Sequence, residues 1–132
     1  MFLRRLIPAL IWALFIVILC GIPGRDIPHI SFLELLEFDK WVHAAVFFVL
    51  VVLLISAMRN EAAPQIFQRY PLIISAFFSI AYGGILEILQ EVLFVERSAD
   101  VLDFIANSVG SLMALVFVYW NTSRKKKVEN AS

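Results

Sequence analysis

Four long apolar stretches follow one another along the chain, and short segments rich in Pro, Gly or charged residues separate them. Each stretch is close to the roughly 20 apolar residues that an α-helix needs to cross the hydrocarbon core of a bilayer. The spans predicted from this pattern are residues 6–22, 41–58, 72–94 and 104–120. The pattern therefore predicts an all-α protein that forms a four-helix transmembrane bundle, as a single domain over residues 1–122.

The composition favours a membrane protein over a soluble one. Of the 132 residues, 61% are hydrophobic and 17% are charged, whereas a soluble domain is nearer to about half apolar and about a quarter charged. So few polar residues could not cover the apolar ones in water. Nothing in the sequence indicates nucleic-acid binding, and the single cysteine, Cys20, excludes an internal disulfide.

Basic residues are unevenly divided between the two ends of the predicted bundle, and this division predicts its orientation. An even number of spans places both termini on one side, and Lys and Arg in short loops favour the cytoplasm. Three basic residues lie on the far side, and eight lie on the side of the termini: Arg4, Arg5, Arg59, Arg69, Arg124, Lys125, Lys126 and Lys127. Both termini are therefore predicted to be cytoplasmic, with residues 123–132 as a basic cytoplasmic tail.

Ionisable residues gather instead at the opposite, outer ends of the last three spans. In the second span, Asp39, Lys40 and His43 lie three or four residues apart, so they share one helical neighbourhood. Asp39 could serve as a helix N-cap, but His43 lies a turn inside the apolar segment, where an ionisable group indicates a functional site. In the third span, Glu87 and Gln90 continue a stripe of small and polar residues along one face.

The fourth span begins with polar residues in helical spacing. Asp100, Asp103 and Asn107 share one face, and Arg97 precedes them. The two aspartates fit helix capping, where negative charge suits the helix dipole, but Asn107 lies a turn deeper. Because the polar stripes of three spans reach the same membrane side, we expect one outward-facing polar pocket. Its candidate ligand-binding residues are Asp39, Lys40, His43, Glu87, Gln90, Arg97, Asp100, Asp103 and Asn107.

The order of these motifs resembles the VanZ-like family of bacterial integral membrane proteins. The matching segments are DKWVH at the start of the second span, EILQ in the third, and RSADVLDFIANSVG at the start of the fourth, within residues 38–114. The resemblance implies a multi-pass protein of the bacterial cytoplasmic membrane. Through the founding member of the family, it also implies a link to glycopeptide resistance, chiefly to teicoplanin. No enzymatic activity is assigned to the family.

Three functions fit this pocket. The first is binding of an amphiphile with a polar head, such as a membrane lipid, a lipid-linked envelope precursor or a glycopeptide. The second is a metal-dependent membrane enzyme that acts on a lipid phosphate or ester through a bound divalent cation. The candidate ligands of that cation are His43, Glu87, Asp100 and Asp103. The third is a structural or partner-binding bundle. Because the chain has no HExxH or G-x-S-x-G motif, the sequence favours binding over catalysis.

The predicted orientation can be tested by labelling. A cysteine placed at Ser31, between the first two spans, should react with an impermeant maleimide in intact cells that lack an outer-membrane barrier. A cysteine at Gln65, between the second and third spans, should not react, because that loop is predicted to be cytoplasmic. The opposite labelling would reverse the orientation and move the pocket to the cytoplasmic side.

Overall fold

A computed structural model describes residues 1–22, 38–93 and 100–129 of the chain. Helices account for nearly all of these ranges, and within them there is no β-strand. The helices are α1 (Phe2–Cys20), α2 (Phe38–Met58), α3 (Gln65–Arg69), α4 (Pro71–Leu93) and α5 (Val101–Glu129). The predicted all-α class is confirmed, and α3 is a short helix in the connection between α2 and α4 rather than a further span.

The four long helices are each long and apolar enough to cross a membrane. Their outward faces are apolar as well: Leu10, Phe77 and Val116 are 60%, 67% and 69% exposed. Contiguous apolar surface of this kind is unfavourable in water and marks a surface that contacts lipid or another apolar partner. The chain is therefore a membrane protein built as a bundle of four helices.

The helices extend beyond the predicted apolar spans at their polar ends. α1 and α5 begin about a turn before the apolar stretches, and α5 continues through the basic residues to Glu129. Lys and Arg are good helix formers, and positive charge near a helix C-terminus interacts favourably with the helix dipole. No Pro or Gly follows residue 120 to end the helix where the apolar stretch ends.

The two ends of the bundle differ in charge. At one end, Phe2 of α1 stacks on Phe67 of α3 with ring centroids 5.6 Å apart. At the same end, Arg59 donates a hydrogen bond to the hydroxyl of Thr122 at 3.0 Å. This end carries most of the basic residues, whereas the opposite end, where α2 and α5 begin and α4 ends, carries most of the acidic ones. Which end faces the cytoplasm stays a prediction.

The apolar core lies around α2, which packs against α1, α4 and α5. Its buried residues are Ile16, Cys20, Val46, Phe47, Leu50, Val51, Ile55, Leu86 and Ala114. Two aromatic side chains also join α1 to its neighbours. The indole N–H of Trp12 donates to the carbonyl of Val46 at 2.8 Å, and the hydroxyl of Tyr82 donates to the carbonyl of Ala13 at 2.6 Å. These bonds give both polar groups a partner inside the bundle.

Helices α2 and α5 cross in close contact at Ala44 and Gly110. A Cβ atom built on Gly110 would lie 2.0 Å from the carbonyl oxygen of Ala44 and 2.7 Å from its Cα. A side chain at this position would therefore push the two backbones apart. Small residues also join α4 to α5, since the hydroxyl groups of Ser79 and Ser111 are 2.8 Å apart. Close approach through small residues is a common way for helices to associate in lipid.

Replacing Gly110 with Ala should destabilise the protein by about 1–3 kcal/mol, because the added methyl group overlaps the backbone at Ala44. Gly84→Ala is the matched control. Its Cβ would lie 3.6 Å from the ring of Phe104, which is an ordinary contact, and Ala favours a helix over Gly. Thermal unfolding in detergent measures both variants. Equal melting temperatures for Gly110→Ala and the wild type would contradict the close crossing.

Candidate functional site

Polar side chains of three helices meet at the acidic end of the bundle. His43 of α2, Glu87 of α4, and Asp103 and Asn107 of α5 are 5%, 7%, 6% and 1% exposed. Buried polar groups in a membrane bundle need polar partners, because lipid offers none. The sequence predicted that these four residues converge, and the structure brings them together from three separate helices.

A chain of hydrogen bonds links three of these residues across the bundle. Nδ1 of His43 lies 3.0 Å from Oδ1 of Asn107, and Nδ2 of Asn107 donates to Oε1 of Glu87 at 3.4 Å. Because an amide nitrogen donates and an amide oxygen accepts, this order of contacts assigns a proton to Nδ1 of His43. The other ring nitrogen, Nε2, is turned away from Asn107 toward the carboxylates described below.

Glu87 also holds the start of α5 in place. Its Oε2 accepts a hydrogen bond from the backbone N–H of Asp100 at 3.1 Å. Asp100 in turn caps α5, since its Oδ1 accepts from the backbone N–H of Leu102 at 2.8 Å. The capping role that the sequence left open therefore holds for Asp100. The hydrogen bond between Asp100 and Glu87 also connects the start of α5 to α4.

Asp103 has a different role from Asp100. Its carboxylate is turned toward α2, with Oδ2 3.7 Å from Nε2 of His43 and Oδ1 3.8 Å from Nζ of Lys40. Lys40 also lies 3.6 Å from Oδ2 of Asp100, so it connects the two aspartates. Oδ1 of Asp103 is buried and accepts no hydrogen bond from the residues that the structure describes.

Asp39 completes the group around His43. It lies inside the first turn of α2, so it is not the N-cap that the sequence left open, and its Oδ1 is 3.8 Å from Nε2 of His43. Ligand atoms of Asp39, His43 and Asp103 all lie within 4.8 Å of one another. Of the metal ligands considered from the sequence, His43 and Asp103 thus lie together. Glu87 and Asp100 contact each other instead.

One residue of the predicted site faces another part of the bundle. Gln90 is 2% exposed, but its side-chain amide donates to the carbonyl of Cys20 at 3.3 Å and so faces the end of α1. Its face of the helix is rotated by about 60° from that of Glu87, because three residues turn an α-helix by about 300°. Oε1 of Gln90 is buried and accepts no hydrogen bond within the described ranges. Arg97 lies outside the described residues.

The group that the structure assembles carries more negative than positive charge. We call it the polar cluster, and its members are Asp39, Lys40, His43, Glu87, Asp100, Asp103 and Asn107. These described residues include four carboxylates and one ammonium group. Charged groups in or beside a bilayer are costly unless they are paired. The polar cluster can therefore bind a cation, or a ligand that donates hydrogen bonds, better than a bare anion.

A groove between α4 and α5, which the sequence did not predict, leads away from the polar cluster. It is open to the outside, has a volume of about 270 Å³ and is lined by Gly84, Glu87, Asp100, Val101 and Phe104. Its walls are almost entirely apolar, and Glu87 and Asp100 connect it to the polar cluster. The missing side chain of Gly84 leaves this space open. The sequence signal is the pair Gly83–Gly84, of which Gly83 packs against Asn107 and Gly84 faces Phe104.

No protein-family model, curated protein or solved structure matches the chain. The class of the protein is therefore defined from its fold and its candidate site. It is a helical membrane protein with a buried polar cluster at one end and an apolar groove beside that cluster.

Asn107→Ala should destabilise the bundle by about 1–3 kcal/mol, because it leaves the ring N–H of His43 and an oxygen of Glu87 buried without partners. Ser108→Ala is the matched control, since the hydroxyl of Ser108 donates to the carbonyl of Phe104 in its own helix at 2.9 Å. Thermal unfolding in one detergent compares the two variants. If both melt at the same temperature, the hydrogen-bond chain does not hold the helices together.

Proposed function

We propose that this chain is a VanZ-like protein of the bacterial cytoplasmic membrane that binds the polar head of an envelope amphiphile. The ligand class is a membrane lipid, a lipid-linked envelope precursor or an amphiphilic glycopeptide such as teicoplanin. The observation that carries the proposal is the apolar groove between α4 and α5, whose lining includes Glu87 and Asp100 of the polar cluster.

Two features of the sequence support the family and the orientation in this proposal. The motifs DKWVH, EILQ and RSADVLDFIANSVG occur in the order typical of VanZ-like proteins. The excess of basic residues beside the termini favours a cytoplasmic position for that end of the bundle. The polar cluster then faces outward, where envelope precursors and glycopeptides are found.

The groove has an apolar part and an acidic end, as an amphiphile has an apolar chain and a polar head. Gly84, Val101 and Phe104 provide apolar walls, and an acyl or prenyl chain can reach them directly from the bilayer. Glu87 and Asp100 follow at the end nearest the polar cluster. The volume of about 270 Å³ is slightly below the roughly 300–1,000 Å³ of typical small-molecule sites. The groove therefore holds a head group and its first few carbons, while the rest of the chain stays in the bilayer.

The charge of the polar cluster selects the kind of head group. Ionised carboxylates form strong hydrogen bonds to donors, so Asp100, whose side chain is 44% exposed, favours a head rich in hydroxyl or amino groups. A sugar or an aminoalkyl group has such donors. A phosphate next to that group needs a positive neighbour, and Lys40, whose Nζ lies 3.6 Å from Oδ2 of Asp100, is the cation of the polar cluster.

A metal-dependent membrane enzyme that acts on a lipid phosphate or ester is the second candidate function. It is favoured by Asp39, His43 and Asp103, whose ligand atoms lie within 4.8 Å of one another. A cation held there would polarise a phosphate or ester oxygen. Binding ranks first because the groove is lined by Glu87 and Asp100 and not by these three residues.

Filling the groove should abolish ligand binding without unfolding the bundle. Gly84→Leu places a side chain against Phe104, whereas the control Ile85→Phe adds bulk to a neighbouring side chain that is 54% exposed on the outer surface. The additives are phosphatidylethanolamine, a polyprenyl phosphate and teicoplanin, each added in turn. At least one should raise the melting temperature of the wild type and of Ile85→Phe by several degrees, and should have no effect on Gly84→Leu.

A second variant separates a binding site from a structural network of ion pairs. Glu87→Gln keeps the shape of the side chain and removes its charge, but it replaces one of two accepting oxygens with an NH2 group. Some loss of stability is therefore expected in either case, and a ligand site should in addition lose its response to the additive. If the wild type responds to none of the additives, and Glu87→Gln melts far below it, the polar cluster is a structural network and the proposed binding function is wrong.

A further inference from the structure

We propose that Asp39, His43 and Asp103 form a binding site for a divalent transition-metal cation such as Zn²⁺ or Mn²⁺. Nε2 of His43 lies 3.8 Å from Oδ1 of Asp39 and 3.7 Å from Oδ2 of Asp103. These separations are too long for hydrogen bonds, which need about 2.7–3.2 Å. Two atoms 3.7–3.8 Å apart can both lie about 2.0–2.2 Å from one ion, as metal ligands do.

The hydrogen bond on the far side of its ring orients His43 as a ligand. Nδ1 lies 3.0 Å from Oδ1 of Asn107, whose amide in turn donates to Glu87. With the proton held on Nδ1, the lone pair of Nε2 points toward two carboxylates, which repel it. A cation placed among the three groups is instead attracted by all of them. Metal-binding histidines commonly donate their second ring N–H to an acceptor in this way.

The buried carboxylate of Asp103 is incompletely paired among the described residues. Its side chain is 8% exposed, and its buried Oδ1 accepts no hydrogen bond from any residue in the described part of the chain. A carboxylate buried in a membrane bundle is costly unless a positive charge lies beside it. Lys40 approaches on the side of Oδ1, at 3.8 Å, which leaves Oδ2 to face His43 and a bound ion.

The chemistry of the three ligands selects the class of metal. One imidazole nitrogen and two carboxylates suit Zn²⁺, Mn²⁺ or Fe²⁺, whereas Mg²⁺ and Ca²⁺ prefer sites made of oxygen alone. Three protein ligands leave at least one coordination position for water or another molecule. The side chain of Asp39 is 49% exposed, so an ion can enter from the water at the end of the bundle.

The metal site does not depend on the proposed binding of an amphiphile. Its three ligands do not line the groove between α4 and α5, so the two sites can be tested separately. A loss of metal binding leaves the groove intact, and Gly84→Leu, which fills the groove, leaves the three metal ligands in place.

The test is metal binding by the full-length protein, purified in detergent and stripped with a chelator. Titration calorimetry with Zn²⁺ and with Mn²⁺ should show one ion per chain for the wild type. Asp39→Asn and Asp103→Asn should each weaken that binding by roughly tenfold or more. The matched control is Glu91→Gln, an exposed acidic residue near the end of α4, and it should bind the ion as the wild type does.

Asp39→Asn is the decisive variant, because its side chain is half exposed and the substitution preserves its shape. Circular dichroism verifies that each variant keeps its helices. The proposal is overturned if the wild type binds neither ion, or if Asp39→Asn binds as tightly as the wild type. In the first case, Asp39, His43 and Asp103 are a structural group of polar contacts and not a metal site.

Discussion

Close contact between α2 and α5 at Ala44 and Gly110 governs the position of the polar cluster. Because Gly110 has no side chain to separate the two backbones there, polar residues next to the crossing on its acidic side come within hydrogen-bond range. His43 directly precedes Ala44, and Asn107 lies three residues before Gly110, so their side chains meet at 3.0 Å. In lipid, apolar surfaces gain little from burial against each other, and close packing and hydrogen bonds provide the attraction between helices.

The same constraint places α4 and creates the groove. Gly83 packs against Asn107, since a Cβ on this glycine would lie 3.3 Å from that of Asn107. Glu87, one turn further along α4, therefore reaches both the amide of Asn107 and the backbone N–H of Asp100. The next glycine, Gly84, faces outward between the two helices and leaves the apolar groove beside Glu87. Packing and a potential ligand site thus arise from one pair of glycines.

Much of the fold could be predicted from the sequence, because a membrane span imposes a minimum apolar length on each helix. Helical spacing also identified the inward faces that carry His43, Glu87 and Asn107. Spacing within one helix does not show which neighbouring helix a side chain meets. For this reason the contact of Gln90 with α1 was not predicted. The groove depends on the crossing of two helices, which periodicity along a single helix does not specify.

A structure of the full chain, determined in nanodiscs that contain native lipids, tests the binding role of the polar cluster most directly. We predict elongated density between α4 and α5, in contact with Gly84 and Phe104, that ends in a head group beside Glu87 and Asp100. A groove closed by the ring of Phe104, with no lipid density and with both carboxylates contacting protein alone, would contradict that role.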